Sequence, residues 1–140
     1  MPNAMYNCYK NESQKGSHAY LTDTVKIALV TSAYTANIDT HANFSDITNE
    51  VTGTGYTAGG ATLGSKTATQ DNTNDRGVLD AADVTWTTST ITARGAVVYK
   101  DTGTGSTSKL MCYIDFGADK SSSATDFTIQ FSTSGILYFG

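Results

Sequence analysis

The sequence contains one proline, two cysteines and two histidines among its 140 residues. Cys8 and Cys112 lie far apart and do not form a Cys-x-x-Cys pair, so we expect two reduced thiols rather than a disulfide framework. Two histidines and two distant cysteines also do not supply the three or four ligands of a zinc site. Because the proline is Pro2, no predicted strand is interrupted by proline.

Charge and long apolar runs are scarce as well. Charged residues make up 16% of the chain, below the usual share of about 25%. The 13 acidic and 9 basic residues leave a net charge of −4, which argues against a nucleic-acid partner because phosphates need a basic face. No apolar run reaches the roughly 18 residues of a membrane span. The N-terminus lacks the basic and apolar regions of a secretory signal, which predicts folding in the cytoplasm.

Threonine, serine and glycine take the place of the missing charge, and β-branched threonine suits strands. About eight short strands with turn signals every 8–12 residues indicate a sandwich, jelly roll or barrel. We therefore predict a mainly β, single-domain antiparallel β-sandwich or jelly-roll-like fold. Predicted strands include 24–31, the segments on either side of Gly59-Gly60, 76–79, 84–88, 91–100, 110–116, 127–131 and a last strand in GILYFG. Polar connections are predicted near Ser89 and at 71–75, 101–108 and 117–126.

Two short helices are predicted beside these strands. The first, from Ala4 to Lys15 and stopped by Gly16, has few apolar residues and must dock on the β domain or on a neighbouring subunit. Residues 1–20 are accordingly an N-terminal arm, and residues 21–140 the β domain. The second is a helical turn or two within 39–51, with Thr40 as its cap.

The chemistry-bearing residues form no convincing catalytic or cofactor site. Asp39, His41 and a serine could be drawn as a triad, but no Gly-x-Ser-x-Gly elbow frames a nucleophile, so we expect no enzyme. Asp71 and Asp75 alternate in DNTND, a weak calcium possibility, because the glycine falls one residue late and no glutamate follows at the twelfth position. A solvated turn is the preferred interpretation.

Aromatic residues are the candidates for binding. Trp86 is expected at an inward strand position in the core. Tyrosine supplies a large contact area at low entropic cost, so exposed tyrosines are interface candidates. The candidates are Tyr6, Tyr9, Tyr34 and Tyr56, of which the last two are expected to be exposed.

Several segments carry a resemblance that covers residues 6–137: TDTVKIALVTSAYTANIDTH, NEVTGTGYTAGGATL, LDAADVTWTTSTITARGAVVYKDTG and MCYIDFGADKSS followed by DFTIQFSTSGIL. Their order resembles a widespread family of small virion proteins encoded among the structural genes of tailed bacteriophages. Members of such families are described as capsid decoration proteins, head fibres or tail-associated proteins. The resemblance implies a structural role in the virion, no catalytic residues and no cofactor.

The expectation is a decoration or cement protein that binds the major capsid protein and itself forms a homo-oligomer, with a trimer favoured. Such a protein adds interface area across neighbouring capsid subunits, and about 800 Å² per partner suffices for specific attachment. The compact domain, in which nothing could form a fibre shaft, favours this role, and one alternative is a neck, tail or fibre-base component that adapts one ring or fibre to another. Another is a glycan-binding adhesion module, which Trp86 and the tyrosines leave open.

Overall fold

The computed structural model describes residues 3–140 and confirms the predicted mainly β, sandwich-like single domain. Its regular elements within that range are one helix, α1 (Asn7–Gln14), a 3-10 turn (Phe44–Asp46), and the strands β1 (Ala4–Met5), β2 (Val25–Val30), β3 (Ala61–Thr62), β4 (Thr67–Asp71), β5 (Arg76–Asp80), β6 (Val84–Lys100), β7 (Leu110–Ile129) and β8 (Leu137–Phe139).

The strands form two antiparallel sheets. The larger sheet has the order β1-β7-β6-β2-β3, and the smaller has the order β4-β5-β8. A long hairpin of β6 and β7 is the spine of the larger sheet, with Val97 opposite Tyr113 near its turn and Val84 opposite Ile129 at its open end. The predicted turn at 71–75 joins β4 to β5, and the predicted connection at 101–108 joins β6 to β7.

The main core lies where the hairpin meets the smaller sheet. Val84 and Trp86 point inward, as the alternation in VTWTT predicts, whereas Thr85 and Thr87 are exposed. Val84 and Trp86 pack in one hydrophobic cluster with Leu137 from β8 and with residues from most of the other elements. Burying these side chains provides most of the driving force for folding, at roughly 25 cal/mol per Å² of apolar surface.

A second hydrophobic cluster covers the opposite face of the larger sheet. Tyr6, Tyr34 and Leu110 belong to it, and Phe44 and Ile47 pack against it from the segment that follows β2. Strand β2 is therefore covered on both faces, which explains why nearly all of VKIALV is buried instead of alternating.

The N-terminal segment differs from its prediction at one end. The helix begins at Asn7 rather than Ala4, because Ala4 and Met5 pair with β7 as strand β1. It ends before Gly16, whose φ of +75° is a left-handed conformation that glycine adopts readily. Tyr9 is 3% exposed, so the helix docks on the β domain despite its polar sequence.

The helical turn predicted within 39–51 is present as the 3-10 turn Phe44–Asp46, but its cap is Asn43 rather than Thr40. The carboxylate of Asp46 accepts hydrogen bonds from the backbone N–H groups of Ala42 and Asn43, both at 2.9 Å. These bonds satisfy local backbone donors without a longer helix.

The strand predicted before the Gly59-Gly60 pair is also wrong, since only Ala61–Thr62 after the pair is a strand. Residues before the pair make isolated bridges instead, between Val30 and Glu50 and between Thr54 and Thr90.

Two predicted breaks in the hairpin are absent. The turn near Ser89 is a bulge within the continuous strand β6, with Thr88 at φ +49°. The polar segment 117–126 is part of β7: β6 provides pairing partners for its residues from Lys120 to Thr125, while most of its side chains face solvent. Pairing, which local sequence does not encode, decides both cases.

One predicted face is split as well. Cys112, Ile114 and Phe116 contact the main core as expected, but Leu110 lies in the second cluster. The register shifts between Val98 and Tyr99, so β7 has one extra residue at this point and its side-chain alternation changes face.

Candidate binding groove at the edge of strand β7

A groove of about 720 Å³ lies between the outer edge of β7 and the segment 130–138. Its apolar floor consists of Ile114, Phe116, Phe127, Ile129, Phe131 and Ile136. The alternation of FTIQF and of the preceding CYIDF brings Ile114, Phe116, Phe127 and Ile129 to one face of β7, and Phe131 and Ile136 come from the segment that follows the strand. We call this concavity the inner groove.

The floor of the inner groove packs against the main hydrophobic core. Phe127 is 6% exposed, and its ring lies 6.2 Å from that of Trp86 and 6.4 Å from that of Phe116. Because Trp86 is itself buried, this aromatic row is a fixed surface rather than a set of mobile side chains.

Charged side chains stand at the rim of the inner groove. Arg76 donates from Nε to Asp71 Oδ2 at 2.9 Å, and its guanidinium lies 4.4 Å from the ring centre of Tyr138. Hydrogen bonds from Asn74 and Arg76 hold the pKa of the Asp71 carboxyl below its usual range. Lys120 is exposed and takes part in none of the ion pairs formed within residues 3–140. The rim therefore offers a lysine free for a ligand.

A second concavity of about 600 Å³ lies on the other face of the same edge, and we call it the outer groove. Tyr34, Arg94, Tyr113 and Asp115 help to line it, and Asn3 lines both grooves. Arg94 Nε donates to Asp115 Oδ1 at 3.0 Å across its wall. Side chains on both faces of the β7 edge are thus bordered by open space.

Between the two grooves runs an unpaired strand edge. Within residues 3–140, β7 pairs with β6 from Leu110 to Asp115 and from Lys120 to Ile129, with irregularities, but with β1 only at Cys112 and Tyr113. The comparable edge of β6 is covered, because the loop bearing Gly53 and Gly55 lies against Ser89 and Thr90. An added Cβ at either glycine would meet β6 backbone atoms, so the close approach needs glycine.

Of the tyrosines predicted as interface candidates, only Tyr34 lines one of these two grooves. Tyr6 is fully buried and Tyr9 nearly so, and the exposure expected for Tyr34 is wrong, since it is 5% exposed. Burial raises the pKa of Tyr6 and of Tyr34. Tyr6 and Tyr34 place their hydroxyl oxygens 2.7 Å apart, and Tyr34 contacts His41 Nδ1 at 2.9 Å. This chain of polar groups ties the N-terminal segment to the second cluster.

Tyr56 is half-buried rather than exposed as expected. Its hydroxyl donates to Glu50 Oε1 at 2.7 Å and accepts from the backbone N–H of Leu29 at 2.9 Å. Glu50 Oε1 also accepts from the backbone N–H of Gly59 at 2.6 Å. Tyr56 therefore fastens the loop before β3 to strand β2.

Residues considered for catalysis and calcium have other partners. Asp39 Oδ1 accepts from the Asn7 amide rather than contacting His41, so these two residues do not form part of a triad. Asp71 caps the β4–β5 turn by accepting from the N–H groups of Thr73 and Asn74. Within residues 3–140, no three His, Cys, Asp or Glu side chains cluster as metal ligands.

The two cysteines are free thiols, as predicted, and Cys112 is buried in the core. Across the described part of the chain, no helix is long and apolar enough to cross a bilayer.

The chain matches no protein-family model, no curated protein and no solved structure. Sequence analysis missed Lys120, Arg76 and Tyr138 because they come from different strands, although the alternation of Phe127, Ile129 and Phe131 signalled one apolar face.

Proposed function

We propose that this protein is a non-catalytic structural protein of a tailed-bacteriophage particle, attached to the outside of the capsid as a decoration or cement protein. The observation that carries the proposal is the edge of β7 beyond Tyr113, which has no partner strand within residues 3–140 and has a concavity on each face. The resemblance of its ordered segments to small virion proteins supports the particle context.

The proposed role requires a rigid domain with one exposed sheet edge that binds capsid subunits. The two hydrophobic clusters fix β6 and β7, and the groove adds apolar floor and polar rim, as protein interfaces do. Attachment across neighbouring capsid subunits then increases the number of contacts that must break when the shell expands or is stressed. Self-association as a trimer would multiply this effect through avidity.

The test is cosedimentation of the purified chain with expanded capsids assembled without it. Saturable binding, with about one chain or one third of a chain for each major capsid protein, supports decoration at every subunit or threefold site. Absence of binding overturns the proposed function.

The neck, tail or fibre-base alternative uses the same groove and differs in copy number, so quantitative mass spectrometry of particles separates the two. A ratio of a few per cent or less places the chain in the neck or tail. The glycan-binding alternative loses its main candidate, because Trp86 is 6% exposed and its ring packs against Tyr56 and Phe127.

A further inference from the structure

We propose that two copies of this chain pair through the exposed edge of β4, which joins their smaller sheets into one continuous sheet. In this two-fold symmetric dimer, β4 of one copy runs antiparallel to β4 of the other, and Thr69 of each copy lies on the symmetry axis. The inference does not depend on a place in a virus particle, because self-association is measured on the isolated chain.

The outer edge of β4 has no partner among the described residues. The smaller sheet has the order β4-β5-β8, so β4 has a neighbouring strand on one side only. Within residues 3–140, no loop forms a backbone hydrogen bond with Thr67–Asp71, and residues 67–70 are all exposed. β4 therefore presents a row of backbone donors and acceptors to solvent.

The first described residues lie at the opposite edge of the smaller sheet. The side-chain amide of Asn3 donates to the carbonyl of Ile136 at 2.6 Å, and Ile136 comes directly before β8. Two strand spacings, together about 10 Å, separate β8 from β4, whereas residues 1 and 2 span at most about 7 Å. The β4 edge is therefore beyond the reach of these two residues.

β4 lacks the features that usually keep sheet edges from pairing. Natural edge strands are commonly very short, or they carry lysine, proline or a bulge. β1 and β3 have two residues each and β8 has three, whereas β4 has five. Its sequence TATQD contains no lysine or proline, and its ladder with β5 has no register shift. Its one charged residue, Asp71, is already paired with Arg76, at 2.9 Å between Oδ2 and Nε, so little charge opposes a second β4.

The sequence of β4 is compatible with pairing to itself. An antiparallel pair centred on Thr69 places Thr69 opposite its own copy, Ala68 opposite Gln70, and Thr67 opposite Asp71. Threonine pairs across antiparallel strands are stabilising, and this register places no like charges opposite each other. Odd-numbered residues pair only with odd-numbered ones and even with even, so the outward-facing backbone groups of the two copies meet.

Charges beside β4 favour the antiparallel orientation. Lys66 precedes the strand, and the exposed Asp75 in the turn that follows takes part in none of the ion pairs within residues 3–140. Antiparallel pairing brings Lys66 of each copy towards the turn that bears Asp75 of the other, whereas parallel pairing would align like charges. Lys66 already donates to the carbonyl of Asp23. Its charge therefore acts on the orientation of the two copies rather than through a new contact.

The contact is small, because each copy contributes one strand of five residues. Interfaces below about 1,200 Å² are typical of weak or transient complexes, so the dimer should form only at high chain concentration. An isologous contact joins two copies and no more. A trimer would therefore require a different surface.

Sedimentation equilibrium at chain concentrations from about 10 μM to about 1 mM tests the pairing. The wild-type chain should shift towards dimer as its concentration rises. Thr69→Lys and Thr69→Glu should each weaken self-association at least about tenfold, because two like charges then meet on the axis. An equimolar mixture of these two variants should associate at least as strongly as the wild type, since lysine then lies opposite glutamate.

Thr87→Lys and Thr87→Glu are the matched controls. They make the same changes of charge at an exposed position on β6 and should associate like the wild type, alone and mixed. A wild-type chain that stays monomeric up to about 1 mM overturns the inference. Mixing that restores no association between the two Thr69 variants overturns it as well.

Disulfide trapping tests the register. In a Cys8→Ser background, the remaining native thiol is the buried Cys112. Under mild oxidation, Thr69→Cys should form a disulfide between chains at least about ten times faster than Gln70→Cys, because residue 69 meets itself whereas residue 70 lies opposite Ala68. Equal rates would show that the copies do not meet at Thr69 and would overturn the inference. Capsid cosedimentation is a separate experiment, so the failure of either proposal leaves the other standing.

Discussion

The hydroxyl oxygens of Ser89 and Ser122 lie 2.8 Å apart inside the β6–β7 hairpin, where Ser89 is fully buried and Ser122 is 8% exposed. Ser89 Oγ also donates to the carbonyl of Thr125 at 3.1 Å. This small polar cluster lies between the bulges at Thr88 and Ala124, both of which have positive φ. The two hydroxyls satisfy each other and a backbone carbonyl where the ladder is irregular.

Ser89→Ala should lower the free energy of unfolding by about 1–3 kcal/mol, because the buried Ser122 hydroxyl and the Thr125 carbonyl lose a partner. The double variant with Ser122→Ala should lose less than the sum of the single losses, since the two side chains interact. Urea unfolding measures these values. Thr92→Ala is the control: its hydroxyl makes a similar bond to Ser121, but at an exposed position, and it should cost no more than about 0.5 kcal/mol. Equal losses for Ser89→Ala and Thr92→Ala would contradict the role of burial.

Gly60→Ala should destabilise the protein by about 3 kcal/mol or more, from steric overlap and backbone strain together. Gly60 has φ +78°, and an added Cβ would overlap the carbonyl oxygen of Ile27. Gly103→Ala is the matched control, because Gly103 has φ +85° but its Cβ would meet nothing within 4 Å. It should cost only the left-handed strain, about 1–2 kcal/mol. Similar thermal midpoints for the two variants would refute the close packing of Gly60 on β2.

The two thiols should differ in their reaction with a water-soluble disulfide reagent near neutral pH. Cys8 is half-buried, with Sγ 3.2 Å from the carbonyl oxygen of Leu110, and burial raises its pKa. Cys112 is fully buried in the core, so it should react only when the protein unfolds globally. We expect one slow modification in the native protein and two fast ones in urea. Mass spectrometry of peptides identifies the site, and modification of Cys112 ahead of Cys8 would contradict the structure.

Stability should decline as the pH rises above about 9. Burial raises the pKa of the Cys112 thiol from its ordinary value of 9.0 to about 12. Between these values the unfolded chain releases the proton while the native chain keeps it, so the stabilisation is complete below pH 9 and falls as pH rises. The slope from one group is at most about 1.4 kcal/mol per pH unit. Burial also raises the pKa of Tyr6, Tyr20, Tyr56 and Tyr99, which steepens the fall above pH 10.

Urea unfolding at pH 8, 9 and 10 checks this dependence. Cys112→Ala should be less stable at every pH because it leaves a cavity, but its stability should fall less between pH 9 and 10. An unchanged decline in this variant would show that the thiol is not the group responsible.

Many of the strands could be predicted because apolar and polar residues alternate along them. Val84 and Trp86, or Phe127 and Ile129, occupy one side of their strands whatever pairs with them. The strand residues near Ser89 and within 117–126 could not be predicted in this way, since their serines and threonines resemble turn residues. They belong to strands only because the partner strand satisfies their backbone groups. The predicted exposure of Tyr34 was wrong because it too depends on tertiary contacts. Periodicity does not show that a second hydrophobic cluster on the far face of the sheet covers this side chain.

Composition and local alternation are enough to predict the fold class, the free thiols and the apolar faces that pack the two sheets together, because they can be read without knowing which strands pair. The edge that stays unpaired within residues 3–140 is set by long-range contacts. Within residues 3–140, the short strand β1 covers two residues of β7 and the glycine loop covers part of β6, so the edge of β7 beyond Tyr113 has no partner strand among these residues. That arrangement depends on residues brought together from both ends of the chain, and no local pattern specifies it.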